Sequence, residues 1–138
     1  MLRLKNDLVE VMMAGCEGRI KDIKLEWDKR CAVCVVMSSG GYPGKYETGF
    51  EITGLESVAE ELDTMVFHAG TKKENDKIVT SGGRVLGVTS LGKGLDKAIK
   101  RVYETVEKIK FDHVFFRRDI GAKGLLWVGT KPKAASHR

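Results

Sequence analysis

The sequence predicts an α+β domain: a small antiparallel β-sheet, or partial barrel, packed on one helix and preceded by an N-terminal helix. Three observations carry that reading. Leu95, Ala98, Ile99, Val102, Val106 and Ile109 form one apolar stripe at helical spacing, and Lys97, Lys100, Arg101, Glu104, Glu107 and Lys108 lie off it. Between residues 31 and 89 the pattern changes to short runs of apolar and β-branched residues. Ser81-Gly82-Gly83 between two of those runs is a hairpin signal, which favours antiparallel neighbours.

The elements follow in order. Leu8, Val9, Met12, Met13, Cys16 and Ile20 recur at three- and four-residue steps. They predict an amphipathic helix with Asn6 as N-cap and Asp7 in its first turn; Gly15 and Gly18 weaken its second half. Residues 31–37 are a continuous apolar run that stops at Ser38-Ser39-Gly40-Gly41, the pattern of a strand buried on both faces. Residues 65–69 form a second strand. Lys77–Thr80 and residues 84–89 flank Ser81-Gly82-Gly83 and are expected to pair as a hairpin, with residues 73–76 as the turn before it. The striped helix comes next, entered through Gly92 and Gly94. Val114-Phe115-Phe116 and the arginines after it make a last strand. Leu125-Leu126-Trp127-Val128 is either another short strand or an exposed apolar patch. Residues 130–138 are polar, basic and expected to be frayed.

Composition narrows the function classes. A chain of 138 residues that is 42% hydrophobic is long enough for one domain with its own core. The net charge of +5 lies at the C-terminal end: residues 117–138 hold six basic groups against one acid, so the first 116 residues are neutral. That distribution excludes a protein that coats nucleic acid with its whole surface. Arg3, Lys5, Asp7 and Glu10 interrupt any apolar segment of signal-peptide length, and no apolar run is long enough to span a bilayer. Three cysteines are not a disulfide framework, so the expected compartment is the reducing cytoplasm.

The chemistry-bearing motifs are few. Cys31 and Cys34 form a C-x-x-C, but residues three apart on a strand face opposite ways and no second pair completes a zinc site. His68, His113 and His137 show neither ligand spacing nor a partnered nucleophile. No catalytic residue and no metal ligand is assigned. Gly40-Gly41-Tyr42-Pro43-Gly44 follows a strand and could let backbone N–H groups approach an anion; a plain surface turn is the alternative. Arg117-Arg118-Asp119-Ile120-Gly121 offers two guanidinium forks suited to a phosphate or carboxylate. On a strand only one of the two would reach a given site. A simple Arg117–Asp119 pair is the competing reading.

Several of these segments, in this order, resemble the C-terminal domain of phosphoribosylamine–glycine ligase (glycinamide ribonucleotide synthetase), in the ATP-grasp superfamily. They are Ser38-Ser39-Gly40-Gly41-Tyr42-Pro43-Gly44-Lys45-Tyr46, Phe50-Glu51-Ile52-Thr53-Gly54-Leu55, Val66-Phe67-His68-Ala69-Gly70-Thr71, Gly82-Gly83-Arg84-Val85-Leu86-Gly87-Val88-Thr89 and Arg117-Arg118-Asp119-Ile120-Gly121. Leu2-Arg3-Leu4-Lys5-Asn6-Asp7-Leu8-Val9-Glu10 is similar to the end of that enzyme's ATP-grasp region. The likeness runs from Leu2 to Gly124.

The resemblance implies a rudiment single-hybrid-like domain at residues 25–122, a helix remnant of the ATP-grasp region at 1–24, and a basic tail at 123–138. It implies the C-terminal, substrate-side part of a ligase that joins glycine to phosphoribosylamine in purine biosynthesis. ATP and magnesium serve the full-length enzyme, and no cofactor is expected in this chain. By the same resemblance Gly40, Gly41, Tyr42 and Pro43 line the substrate cleft, and Arg117 or Arg118, with Gly121, meets the sugar phosphate. The ATP-grasp core and its magnesium ligands have no counterpart in these residues, so the chain alone is expected to be inactive. Expected partners are the missing regions of the ligase, or a chain supplying them, and phosphoribosylamine or glycinamide ribonucleotide. Self-association is also expected if the stripe of the first helix is left uncovered. Two rivals stand beside this reading: a stand-alone module for a phosphorylated sugar or nucleotide, and nucleic-acid association through the basic tail, which ranks last.

Overall fold

The structure, a computed structural model, describes residues 2–130. The expected fraying over residues 130–138 and the position of His137 therefore lie outside the described residues, apart from Thr130, which is the last residue of a helix. The elements in order are α1 (Leu8–Cys16), β1 (Cys31–Ser39), α2 (Leu55–Ala59), β2 (Thr64–His68), β3 (Thr71–Glu74), β4 (Lys77–Thr80), β5 (Arg84–Gly92), α3 (Leu95–Val106), β6 (Val114–Phe115) and α4 (Ala122–Thr130). A four-stranded antiparallel sheet has the order β2-β5-β1-β6, and β3-β4 form a separate two-stranded sheet. The α+β class and the antiparallel pairing follow the sequence pattern.

The core lies between α3 and one face of the larger sheet. Ala98, Val102 and Val106 of α3, and Ile109 beyond it, are at most 1% exposed, and they meet Val35 and Met37 of β1 and Leu86 and Val88 of β5. The periodic stripe read from the sequence is the buried face of this helix. β1 departs from the expectation of burial on both sides. Val33, Val35 and Met37 point into the core, whereas Ala32, Cys34 and Val36 alternate onto an exposed face. Helix α3 covers only one side, and an unbroken apolar run does not reveal that. Met65 and Phe67 of β2 join the open face. Cys31 packs against the core while Cys34 is exposed, so the two thiols do face apart.

The hairpin also differs. β4 pairs with β3 rather than β5, and the turn between them is Asn75-Asp76, with φ of 48° and 60°. Two positive-φ residues form the tight turn whose twist suits a hairpin, and Asn and Asp tolerate it. Ser81-Gly82-Gly83 instead carries the chain from the small sheet into β5. Gly82 and Gly70 approach too closely for a side chain at Gly70, and the Ser81 amide donates to Gly70 O at 2.8 Å.

In α1 the cap is Asp7, whose Oδ1 accepts from the amides of Val9 (2.7 Å) and Glu10 (3.3 Å). Asn6, expected as the cap, instead accepts from the Glu26 amide and donates to Lys24 O, clamping the segment that leads to β1. The helix stops at Cys16, because Gly18 turns left-handed at φ 70°, and Ile20 falls in a separate 3₁₀ turn, Ile20–Asp22. Residues 125–128 lie in helix α4 and not on a strand, and Leu126 and Trp127 are largely solvent-exposed. Gly121 and Gly124 let the start of α4 press on Ile99 and Leu95 of α3.

Charged side chains lock the far end of the main sheet. Arg30 donates to both oxygens of Asp28 and to Asp63 Oδ1 at 2.6 Å. Arg101 of α3 reaches Asp63 Oδ2 at 3.3 Å and Leu91 O at 2.5 Å. The Arg30 hydrogen bonds hold the Asp28 carboxyl down from its ordinary 3.8 to about 2. A depressed carboxyl stabilises the fold fully above its unfolded value and loses that contribution as pH falls through its folded value. Carboxyl-carbon NMR should therefore place the Asp28 midpoint near 2, and Arg30→Gln should return it toward 3.8. An unshifted Asp28 in the parent chain would contradict the pairing. In urea denaturation, Met37→Ala should cost about 2–5 kcal/mol. The neighbouring Val36→Ala should cost about 1 kcal/mol or less, because that side chain faces solvent.

Candidate functional site

One end of the main sheet gathers most of the residues singled out in the sequence. Ser38 of β1 pairs with Arg84 of β5 on one side and with Phe115 of β6 on the other. Adjacent strands lie about 4.8 Å apart, so the starts of β5 and the end of β6 flank Ser38 at a separation of about 10 Å. A register shift between Met37 and Ser38 occurs at this point. The Ser38 hydroxyl bonds Phe115 O at 3.1 Å, and the Ser39 hydroxyl bonds Gly82 O at 2.9 Å. The two serines that close β1 thereby tie it to both neighbours.

The glycine loop emerges from this junction. The Tyr42 amide donates to Ser39 O (3.2 Å) and the Gly44 amide to Gly41 O (2.7 Å). The Tyr42–Pro43 bond is cis. Gly41 sits at φ 94°, where a Cβ would strike Lys45 O, so glycine is required there. Gly40 lies against His113 O, at 2.7 Å from where its Cβ would be, which leaves no room for a side chain. The Tyr42 ring covers Gly83 in the same way and meets Tyr46 edge-on at 6.0 Å. The loop thus bridges the strand ends on both sides of β1. Beside it opens a cleft of about 470 Å³, walled by Val36, Tyr42, Phe67, Ala69 and Gly83 with Arg84 at its lining.

Arg117 and Arg118 lie beyond the end of β6, in the coil leading to α4, and not on the expected strand. Arg117 grips Asp119 with two bonds, Nε to Oδ1 at 2.9 Å and a terminal nitrogen to Oδ2 at 2.6 Å. That pairing lowers the Asp119 carboxyl and raises the Arg117 guanidinium. Arg118 pairs with Glu107, the residue that caps the C-terminal end of α3, at 2.8 Å and lies over the Phe116 ring. Tyr103 fixes the segment: its hydroxyl donates to Arg117 O at 2.7 Å and accepts from the Ile120 amide at 3.1 Å. Gly121, at φ 86°, turns the chain into α4. A second open cleft of about 660 Å³ is lined by residues 114–119. The sequence reading omitted Arg84, although it follows the Gly82-Gly83 pair in one of the family-like motifs. Among the described residues, no group of three or more His, Cys, Asp or Glu side chains could hold a metal ion, and no helix is long and apolar enough to cross a membrane.

The fold and this sheet end define an α+β domain with a glycine loop and basic groups gathered at one end of an antiparallel sheet. Residues 32–123 match the family model described as "Phosphoribosylglycinamide synthetase, C domain", and the chain belongs to that family. The phosphoribosylamine–glycine ligase of Caldanaerobacter subterraneus is 49% identical over 119 residues, covering 86% of this chain and 28% of the relative. The Escherichia coli O6:H1 phosphoribosylamine–glycine ligase is 50% identical over 126 residues, covering 91% and 29%. The crystal structure of the Thermotoga maritima phosphoribosylamine–glycine ligase superposes with a TM-score of 0.64 at 34% identity, covering 80% of this chain and 27% of that one. The chain thus spans less than a third of the length of the relatives it matches.

Glycine positions give a direct check on the loop. Gly41→Ala should cost about 1–3 kcal/mol, because alanine at this φ is strained and its Cβ strikes backbone. Gly15→Ala in α1 should be neutral or stabilising by up to about 1 kcal/mol, since nothing lies within 4 Å of the new methyl and alanine favours helix. Equal effects in thermal or urea melts would contradict the described loop.

Proposed function

We propose that this chain is the C-terminal, substrate-side domain of an ATP-dependent ligase that joins glycine to phosphoribosylamine in purine biosynthesis, in the cytoplasm. The observation that carries the reading is the family match over residues 32–123 combined with relatives more than three times as long. Segments 1–24, 25–122 and 123–138 are its leading helix, its domain proper and its basic end. The domain proper is a rudimentary partial barrel wrapped on α3: isolated bridges join Glu51 to Val79 and Thr53 to Lys110, linking the loop region, the small sheet and the segment after α3.

In this reading Gly40, Gly41, Tyr42 and Pro43 shape one wall of the substrate cleft, and Arg117 or Arg118, with Gly121, meets the sugar phosphate. ATP and magnesium act elsewhere in the full ligase. The acidic groups at this sheet end do not fit a magnesium site, because Asp119 and Glu107 are each held by an arginine. No bond-making step is assigned to this chain, which alone is inactive. Exposed Leu8, Val9, Met12 and Met13 of α1, and the open sheet face with Val36 and Phe67, support packing against the rest of the ligase. A second copy of the chain is the other candidate for covering them.

A chimera tests this. Replacing the matching domain of the Escherichia coli relative by this chain should give an enzyme that forms glycinamide ribonucleotide from ATP, glycine and phosphoribosylamine, while the isolated chain turns over nothing. Turnover by the isolated chain, or a folded but inactive chimera, would contradict the proposal.

A further inference from the structure

From the geometry we infer that Arg84 is a primary anion contact of the candidate site, taking the phosphate of a phosphorylated pentose whose sugar lies along Tyr42. The inference rests on the reading above and adds a residue to it. Among the described residues Arg84 is the one arginine whose guanidinium makes no hydrogen bond or ion pair. Arg3 donates to Asp28 O, Arg19 pairs with Glu17, and Arg30 and Arg101 share Asp63. Arg117 and Arg118 are occupied by Asp119 and Glu107. An arriving anion must break a carboxylate pair to engage either of those two, but not to engage Arg84.

The backbone that carries Arg84 is held firmly. Its carbonyl accepts from the Gly70 amide at 2.8 Å, in a contact so tight that a Cβ at Gly70 would lie 2.7 Å from that oxygen. The preceding Gly83 is covered by the Tyr42 ring, and its carbonyl accepts from the Ser39 amide at 2.8 Å. A fixed backbone carries the exposed residue Arg84 at the lining of a cleft of about 470 Å³, a size suited to a small ligand. The walls there are Val36, Tyr42, Phe67 and Ala69. An aromatic and aliphatic wall suits the C–H face of a sugar, and a planar fork suits the paired oxygens of a phosphate. The same end of the sheet carries the glycine loop and, across Ser38, the segment leading to Arg117.

The test is titration of the full chain with ribose 5-phosphate, followed by amide NMR shifts, with ribose and inorganic phosphate as separate arms. Shifts should centre on Tyr42, Gly83 and Arg84, with ribose giving none and inorganic phosphate a weaker response at Arg84 alone. Arg84→Gln should weaken binding at least about tenfold, the order expected for losing one charged hydrogen-bonding group. Arg84→Lys should retain part of it, and Arg117→Gln should change it less. Unperturbed spectra of the free variants show that they fold. Wild-type affinity in Arg84→Gln, with loss in Arg117→Gln or Arg118→Gln, overturns the role of Arg84 and leaves the phosphosugar reading standing. No saturable shifts in the parent chain with either ribose 5-phosphate or glycinamide ribonucleotide overturn both.

Discussion

The packing of α3 against one face of the β1–β5 pair is the constraint on which the other features depend. Val35, Met37, Leu86, Val88, Val102 and Val106 are essentially inaccessible to solvent, and they belong to only these three elements. Burying side chains of this size contributes roughly 1.5–3 kcal/mol each relative to exposure, so the contact dominates a domain of marginal net stability. Its second consequence is positional. Once β1 is fixed at its centre, its last residues, Ser38 and Ser39, arrive at the junction of β5 and β6 with their hydroxyls and amide already committed. The glycine loop is launched from that junction, and the glycines around it are places where backbones touch too closely for a Cβ.

The opposite end of the sheet is secured by charge. Asp63 receives Arg30 from the segment before β1 and Arg101 from α3, joining three elements through one carboxylate. Glu61 adds a second tie from the same loop. Burial raises its pKa, but hydrogen bonds from Lys108 and Thr105 outweigh that and leave it lowered. The Arg30, Asp63 and Arg101 side chains are 33–42% exposed, so solvent screens them and their worth lies in geometry more than in stability. The far end is thus pinned by ion pairs and the candidate end by close backbone contacts. Among the described residues the candidate end keeps one guanidinium without a partner, that of Arg84.

Legibility in the sequence followed periodicity. The α3 stripe was readable because a helix with one buried face repeats at a spacing that no strand shares, and each of its six positions is buried or packed on the core. The β1 run was readable as a strand but not as half-open, since Ala32, Cys34 and Val36 are as apolar as the side chains beneath the sheet. An outward apolar face is what a domain made to pack on more protein would carry, and local pattern does not distinguish it from a core. The hairpin failed for a different reason. Ser81-Gly82-Gly83 has the composition of a turn, whereas Asn75-Asp76 forms it, because pairing also depends on which strand β1 has already claimed. For the site, the loop was found through its glycines. The pairing of Arg117 with Asp119 was foreseen as an alternative, and Arg118 with Glu107 required the α3 contact to appear. Arg84 was hidden inside a strand motif, because its distinction is the absence of a neighbouring acid in space.

The central claim is that the site end of β1 is built by the same cooperative packing as its core. Native-state hydrogen exchange of the full chain tests it most directly. The Ser39 amide, bonded to Gly83 O, and the Tyr42 amide, bonded to Ser39 O, should be protected with opening free energies within about 1 kcal/mol of those of the Val35 and Val88 amides. Free exchange at Ser39 and Tyr42 while the β1–β5 centre stays protected would show that the junction opens independently. It would contradict a site prebuilt by the core.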